Sequence, residues 1–256
     1  MSLTTIQWFF GVFAAVLLGF SKTGLPGAGI LVVPLVAVIF RGRLASGAIL
    51  PMLILGDIFA VLYYRRHAQW DKLLKLIPWV LTGFAVGTVL FLKTPPKAPH
   101  HKDIMDVIIG SIVLIMLALH LIRQRLGDRL TPHSPAAIAG AGGAAGFTTM
   151  VANAAGPVMT IYLQAMDMSK EEFMGTSAWF FFMVNITKLP LYIGLTYALP
   201  HSPMMTAESL RFDLIMFPIV GVGILIGKWL LPIIPQKAFN AAVLILAGIA
   251  ALNLVI

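Results

Sequence analysis

Two lysines in this chain stand where lysines are costly. Lys22 lies in GFSKTGLPGAG, directly after an apolar run, and Lys188 lies in FFFMVNITKLPLYIGL, with apolar residues on both sides. A lysine at the centre of a spanning helix costs about 2.5–3.5 kcal/mol on insertion scales. Such a residue normally faces a cavity or a partner; otherwise its stem carries the ammonium out to an interface. Asp57, in LPMLILGDIFAVLYY, reads as the one acidic residue well inside an apolar run. It could carry a proton or another cation, or pair with an interior lysine, or form an ion pair with no role beyond structure.

Beside these charges the chain is interrupted. Residues 22–30 and 148–157 are rich in Gly and Pro, and each stretch is followed by a short apolar run, 28–40 and 156–166. A helix broken inside a membrane must find partners for its free N–H groups. Its N-terminus carries about half a positive charge, which suits an anion. Thr23, Thr148, Thr149 and Asn153 add hydroxyl and amide groups at the breaks. Close helix packing through Gly and Ala is the plainer use of the same residues. A further polar stretch, Gly175-Thr176-Ser177-Ala178-Trp179, leads towards Asn185; its hydroxyls could bind a solute or only bridge helices. The expected site is therefore anionic in its preference and lined by Lys22, Thr23, Thr149, Asn153, Asn185 and Lys188, with Asp57 as the coupling or ion-pairing group.

The elements that would hold these residues follow from composition. Of 256 residues, 59% are hydrophobic and 11% charged, with a mean hydropathy of +0.93. A water-soluble domain of this size cannot hide so much apolar surface, whereas a bilayer requires it. Apolar segments run at about 5–20, 28–40, 44–64, 73–92, 104–122, 136–152, 156–166, 173–197, 212–232 and 238–256. The two short ones are too brief for comfortable spans and read as halves of re-entrant hairpins or as short tilted spans. Connecting loops are short, so residues 1–256 are expected to form a single transmembrane domain. Residues 1–7 lack Lys and Arg and no cleavage pattern follows, so the first segment is expected to be retained. The net charge of +8 falls mostly in short clusters between apolar runs. That pattern fits the positive-inside bias and contact with anionic lipid. It favours the clusters at 65–75 and 123–129 on the cytoplasmic side with both termini outside, although the lysines of 93–102 argue against it.

The two halves resemble each other. Gly19-Phe20-Ser21-Lys22-Thr23 reappears as Gly146-Phe147-Thr148-Thr149-Met150, and Pro78, Gly83 and Gly87 as Pro218, Gly223 and Gly227. Asp57 and Tyr64 fall opposite Asn185 and Tyr192. The fold expected is an all-α polytopic membrane protein with about 8–10 transmembrane or re-entrant helices in two inverted repeats, one over about 5–123 and the other over about 136–256. Inverted repeats suit alternating access around a central site.

Several function classes find no support. Cysteine is absent, which excludes disulfides, thiol chemistry and Cys-based metal sites. HExxH, GxxxxGK[ST] and GxSxG are missing. The six His residues lie mostly in loops and do not cluster with carboxylates. No catalytic residues, metal, cofactor or nucleic-acid partner is expected. The expected partners are a small anionic substrate and membrane lipids; a proton or other coupling ion and a homo-oligomer stay open.

GFSKTGLPGAG followed by LPMLILGDIFAVLYYRRHAQW resembles the first conserved block of the TauE/SafE family, sulfite or sulfonate exporter-like membrane proteins. GFTTMVANAAGPVMTIYL followed by GTSAWFFFMVNITKLPLY resembles the second, and together the likeness covers nearly the whole chain. It implies a secondary transporter of small sulfur-containing anions, such as sulfite or sulfonates, in a bacterial inner membrane. A passive anion channel is the alternative the residues leave open, and an intramembrane enzyme a weaker one.

Overall fold

In a computed structural model, which describes residues 3–22, 28–95, 103–126, 134–164, 166, 168–230 and 236–256, every regular element is helical. The order is α1 (Thr5–Ser21), a 3-10 turn (Ala28–Leu31) running into α2 (Val32–Ile39), α3 (Arg43–Ala48), α4 (Leu50–Tyr64), α5 (Trp70–Lys93), α6 (Ile104–Leu126), α7 (Pro135–Ala152), α8 (Gly156–Gln164), α9 (Lys170–Ala198), α10 (Ala207–Leu230) and α11 (Gln236–Val255). Each of the ten expected apolar segments holds a helix among its described residues. The run expected at 44–64 breaks at Ile49 into α3 and α4, just before Pro51. Among the described residues, five stretches are long and apolar enough to cross a bilayer: Arg43–His67, Trp70–Lys93, Ile104–Arg123, Lys170–Ala198 and Ala207–Trp229. Their outward residues, among them Leu62, Leu81, Val86, Ile115 and Leu225, are exposed and apolar, as a lipid-facing surface requires.

Helix starts follow local chemistry. Thr4 caps α1 and Ser169 caps α9, each in a reciprocal box with Gln7 or Glu172, and the Ser134 hydroxyl accepts from Ala137 N–H at the start of α7. The cap at Ser169 starts α9 earlier than hydropathy alone suggests, because Lys170, Glu171 and Glu172 are polar but helical.

Packing partners fix the direction of each helix. Along α1 and α10, Gly11 meets Phe212 and Gly19 meets Val220 and Gly223, so these two run parallel. Along α5 and α7, Leu76 meets Gly142 and Gly87 meets Met150, so these two also run parallel. In contrast, Asp57 meets Asn185 while Arg65 meets Trp179, so α4 and α9 are antiparallel. Gly110 meets Leu254 while Leu117 meets Gly248, so α6 and α11 are antiparallel as well. The closest approaches need glycine. A Cβ on Gly19 would sit 2.1 Å from the Val220 carbonyl oxygen, and one on Gly146 would sit 2.1 Å from the Val80 oxygen. Small residues let transmembrane helices come this near.

Two hairpins enter from opposite faces. α1 and α2 are antiparallel, with Gly11 beside Ile39 and Ser21 beside Gly29. They start and end on the face that also holds the start of α10 and the end of α11, here called the terminal face. α7 and α8 form the second hairpin, and the Tyr162 hydroxyl of α8 returns to donate to the Lys72 carbonyl oxygen near the start of α5. That is the opposite face, which carries Arg65, Arg66, Lys72, Lys75, Arg123, Arg125 and Lys170 and is here called the basic face. Neither α1 nor α7 reaches the depth of the helix it lies along. Judged from the Gly19–Gly223 and Gly87–Met150 contacts, they stop about four to five residues short, or about 6–8 Å.

Candidate functional site

The broken ends of both hairpins meet at a cavity of about 140 Å³. Its wall includes Ser21, Lys22, Gly29 and Ile30 from the first hairpin, and Thr149, Asn153, Ala154, Gly156, Pro157 and Thr160 from the second. Asp57 of α4 and Ser177, Phe181 and Asn185 of α9 complete it. A volume of this order suits a small ion and its water more than a drug-sized ligand. The starts of the 3-10 turn and of α8 both open on this space, so the expected helix N-termini lie at the cavity wall.

The polar groups form one connected set. Lys22 Nζ donates to Asp57 Oδ1 at 2.6 Å, and Asn185 Nδ2 donates to Asp57 Oδ2 at 2.6 Å. Asp57 of α4 and Asn185 of α9 meet where these two antiparallel helices cross. Lys188 is 0% exposed, and its Nζ donates to the Thr149 carbonyl oxygen at 3.1 Å, to Thr149 Oγ1 at 3.1 Å and to Asn153 Oδ1 at 2.5 Å. Three acceptors match the three hydrogens of an ammonium. Asn153 Nδ2 donates in turn to the Ser46 carbonyl oxygen at 3.0 Å. Asn153 ends α7 in the left-handed conformation, at φ 51°, where its N–H caps the Thr149 carbonyl. Asparagine is among the few residues that take that conformation without much strain. The break that turns α7 into α8 and the acceptor that holds Lys188 are thus the same residue.

The two lysines therefore stand differently. The Lys22 side chain is 15% exposed and lines the cavity, with its ammonium 5.3 Å from the centre of the Phe181 ring. Lys188 lies behind Thr149 and Asn153, which do line it. Thr149, Asn153, Asn185, Asp57 and Lys22 come together as expected from the sequence; Thr23 lies outside the described residues. The 175–179 stretch divides its work. Thr176 accepts from Gln69 N–H at 2.9 Å near the basic face, and Ser177 faces the cavity. Among the described residues no three His, Asp or Glu side chains gather as metal ligands would.

Against a family model for the sulfite exporter TauE/SafE, residues 11–254 match. The chain belongs to the TauE/SafE family. This TauE/SafE protein is therefore a membrane transport protein. Neither a search of curated proteins nor a search of solved structures found a match.

Two charged residues have places that sequence reading did not assign. Arg43, grouped by sequence with the loop charges, is 2% exposed. It donates to the carbonyl oxygens of Phe91 (2.7 Å) and Thr94 and to Ser202 Oγ (2.9 Å), which ties the end of α5 to the 199–206 turn across the terminal face. Gly42 N–H beside it donates to Asp106 Oδ1 at 2.6 Å. Asp213 is the second case. It lies six residues inside α10 at 1% exposure, so Asp57 is not alone as a buried acid. Its position near the start of an apolar run, after Arg211, hid it; the Gly11–Phe212 contact places it well below the terminal face.

Proposed function

We propose that this protein is a secondary active transporter that moves a small sulfur-containing anion, such as sulfite or a sulfonate, across a bacterial inner membrane. The observation that carries this reading is the meeting of two broken hairpins, one from each face, at a single small cavity that Lys22 lines. The cavity's donors are an ammonium, hydroxyl and amide groups, and two helix starts, which suit the oxygens of a sulfite or sulfonate. Lys188 contributes through the Thr149 and Asn153 it holds.

The two halves act as inverted repeats, one over about 5–123 and the other over about 136–256. What supports inversion is that matching helices oppose each other: α4 runs against α9, and α6 against α11. What supports duplication is the exchange of partners. The motif glycine of α1 rests on Gly223 of α10, and its counterpart Gly146 on α7 rests on Gly83 of α5. Each hairpin is thereby carried by a helix from the other half, so a rocking of the halves would move both hairpins about the fixed cavity. The excess of Lys and Arg on the basic face supports a cytoplasmic assignment for that face. On the terminal face, the Arg43 bonds tie the end of α5 to the 199–206 turn, while cavity-lining residues of α9 extend back to Phe173, near the basic face.

Counterflow in proteoliposomes tests this reading. Labelled sulfite should accumulate transiently inside vesicles preloaded with unlabelled sulfite, and Lys22→Ala with Lys188→Ala should abolish it. Flux without counterflow or saturation would instead make the protein a channel. Undiminished counterflow in the double variant would remove these lysines from the site.

A further inference from the structure

Among the described residues, three charged side chains occupy the centre of the molecule: Lys22, Lys188 and Asp57. With all three ionised, the centre holds one uncompensated positive charge. In a low-dielectric interior an unbalanced charge is expensive, so occupancy should drive the total towards neutrality. One monovalent anion achieves that. A divalent anion overshoots by one negative charge unless a proton enters with it.

Asp57 is the group placed to take that proton. Its two oxygens accept from Lys22 and Asn185, as a carboxylate does. Lys22 is the lysine that lines the cavity, so a bound anion and the Asp57 carboxylate compete for the same ammonium. A protonated Asp57 still accepts from Asn185 and releases Lys22 to the anion. The other charges on elements packed against α4 are turned elsewhere. Arg43 of α3 is bonded at the terminal face, and Arg65, Arg66 and His67 follow α4 at the basic face. On α10, Lys228 lies over Tyr63, which places Asp213 about nine residues, or about 13 Å, from the level of Asp57. On α9, Lys170, Glu171 and Glu172 lie in its first turn, near the basic face; Lys188 and the fully buried Tyr192 are its titratable groups nearest Asp57.

We infer that Asp57 sets the charge selectivity of the site: a monovalent anion binds with Asp57 ionised, and a divalent anion binds only together with one proton, taken from water and held on Asp57. This rests on the anion-site reading above and specifies its coupling. The proton leaves with the anion, so the charge of the solute fixes how many protons accompany it.

Calorimetric titration of the purified, detergent-solubilised protein with sodium sulfate and with sodium methanesulfonate, between about pH 6 and pH 8, tests the inference. Sulfate affinity should fall about tenfold more per pH unit than methanesulfonate affinity, the signature of one extra bound proton. A proton taken by Lys188 would leave the difference in place in Asp57→Asn, so that variant assigns the extra proton to Asp57. In Asp57→Asn the difference should vanish, with sulfate bound more tightly and methanesulfonate less tightly than by the wild type. Lys22-dependent binding of both anions with equal pH slopes in the wild type would overturn the inference and leave the anion site standing. The same holds if the difference persists in Asp57→Asn. Failure of both anions to bind, or binding unchanged by Lys22→Ala, would overturn the site reading and the inference with it, whereas failure of sulfate alone would overturn only the inference. Equal wild-type slopes overturn the inference even if Asp57→Asn does not fold.

Discussion

Replacing Lys22 by Met should destabilise the protein far more than removing both charges of its ion pair. Asp57 is 0% exposed, and in Lys22→Met its carboxylate keeps only the amide of Asn185. Breaking a buried pair from one side costs about 3–5 kcal/mol, because the remaining charge is left uncompensated. Asp57→Asn strands Lys22 instead, but that side chain is 15% exposed to the cavity and can hydrate there. Its cost should lie nearer the 1–3 kcal/mol of a lost charged hydrogen bond. In Lys22→Met combined with Asp57→Asn no charge is stranded, so the double variant should be more stable than Lys22→Met alone. The coupling between the two sites should therefore exceed the cost of Asp57→Asn alone, at about 3 kcal/mol. Denaturation followed by the fluorescence of the five tryptophans, in one detergent for all four proteins, measures this. Costs that simply add, with the double variant the least stable, would refute the reasoning that the pair is a buried unit.

Other consequences are as specific. Gly146→Ala places a Cβ 2.1 Å from the Val80 oxygen, so α5 and α7 must part; it should lose about 1–3 kcal/mol, whereas Gly140→Ala on the same helix meets nothing within 4 Å and should be neutral or mildly stabilising in the same unfolding assay. Asn153→Gly keeps the left-handed turn and Asn153→Ala does not, so Ala should be less stable than Gly by about 1 kcal/mol, while both lose sulfite transport because Lys188 loses an acceptor. Arg43→Met leaves the Phe91 and Thr94 carbonyls without their donor. Hydrogen exchange at 90–95 and 199–206 should then quicken by an opening free energy lowered by about 1–3 kcal/mol.

Much of this was legible in the sequence because membranes make polar residues conspicuous. Lys22, Asp57 and Lys188 stand out against apolar neighbours, and the Gly- and Pro-rich breaks mark where helices end inside the chain. What the sequence hid has physical reasons. Arg43 looks like a loop charge because burial of a guanidinium depends on carbonyls contributed from α5, distant in sequence. Asp213 looks interfacial until α1 is packed along α10. The unequal roles of the lysines were equally invisible. Spacing places both near the site, and only the left-handed turn at Asn153 decides that Lys188 points into the wall while Lys22 meets the cavity.

The absence of cysteine makes the central claim directly measurable. Ser21→Cys puts one thiol at the end of α1, on the cavity wall beside Lys22. Its rate of reaction with a small maleimide in proteoliposomes should fall as methanesulfonate is added, and Lys22→Ala in the same background should remove that protection. A labelling rate indifferent to the anion, or protection that survives without Lys22, would contradict an anion site at the meeting of the two hairpins.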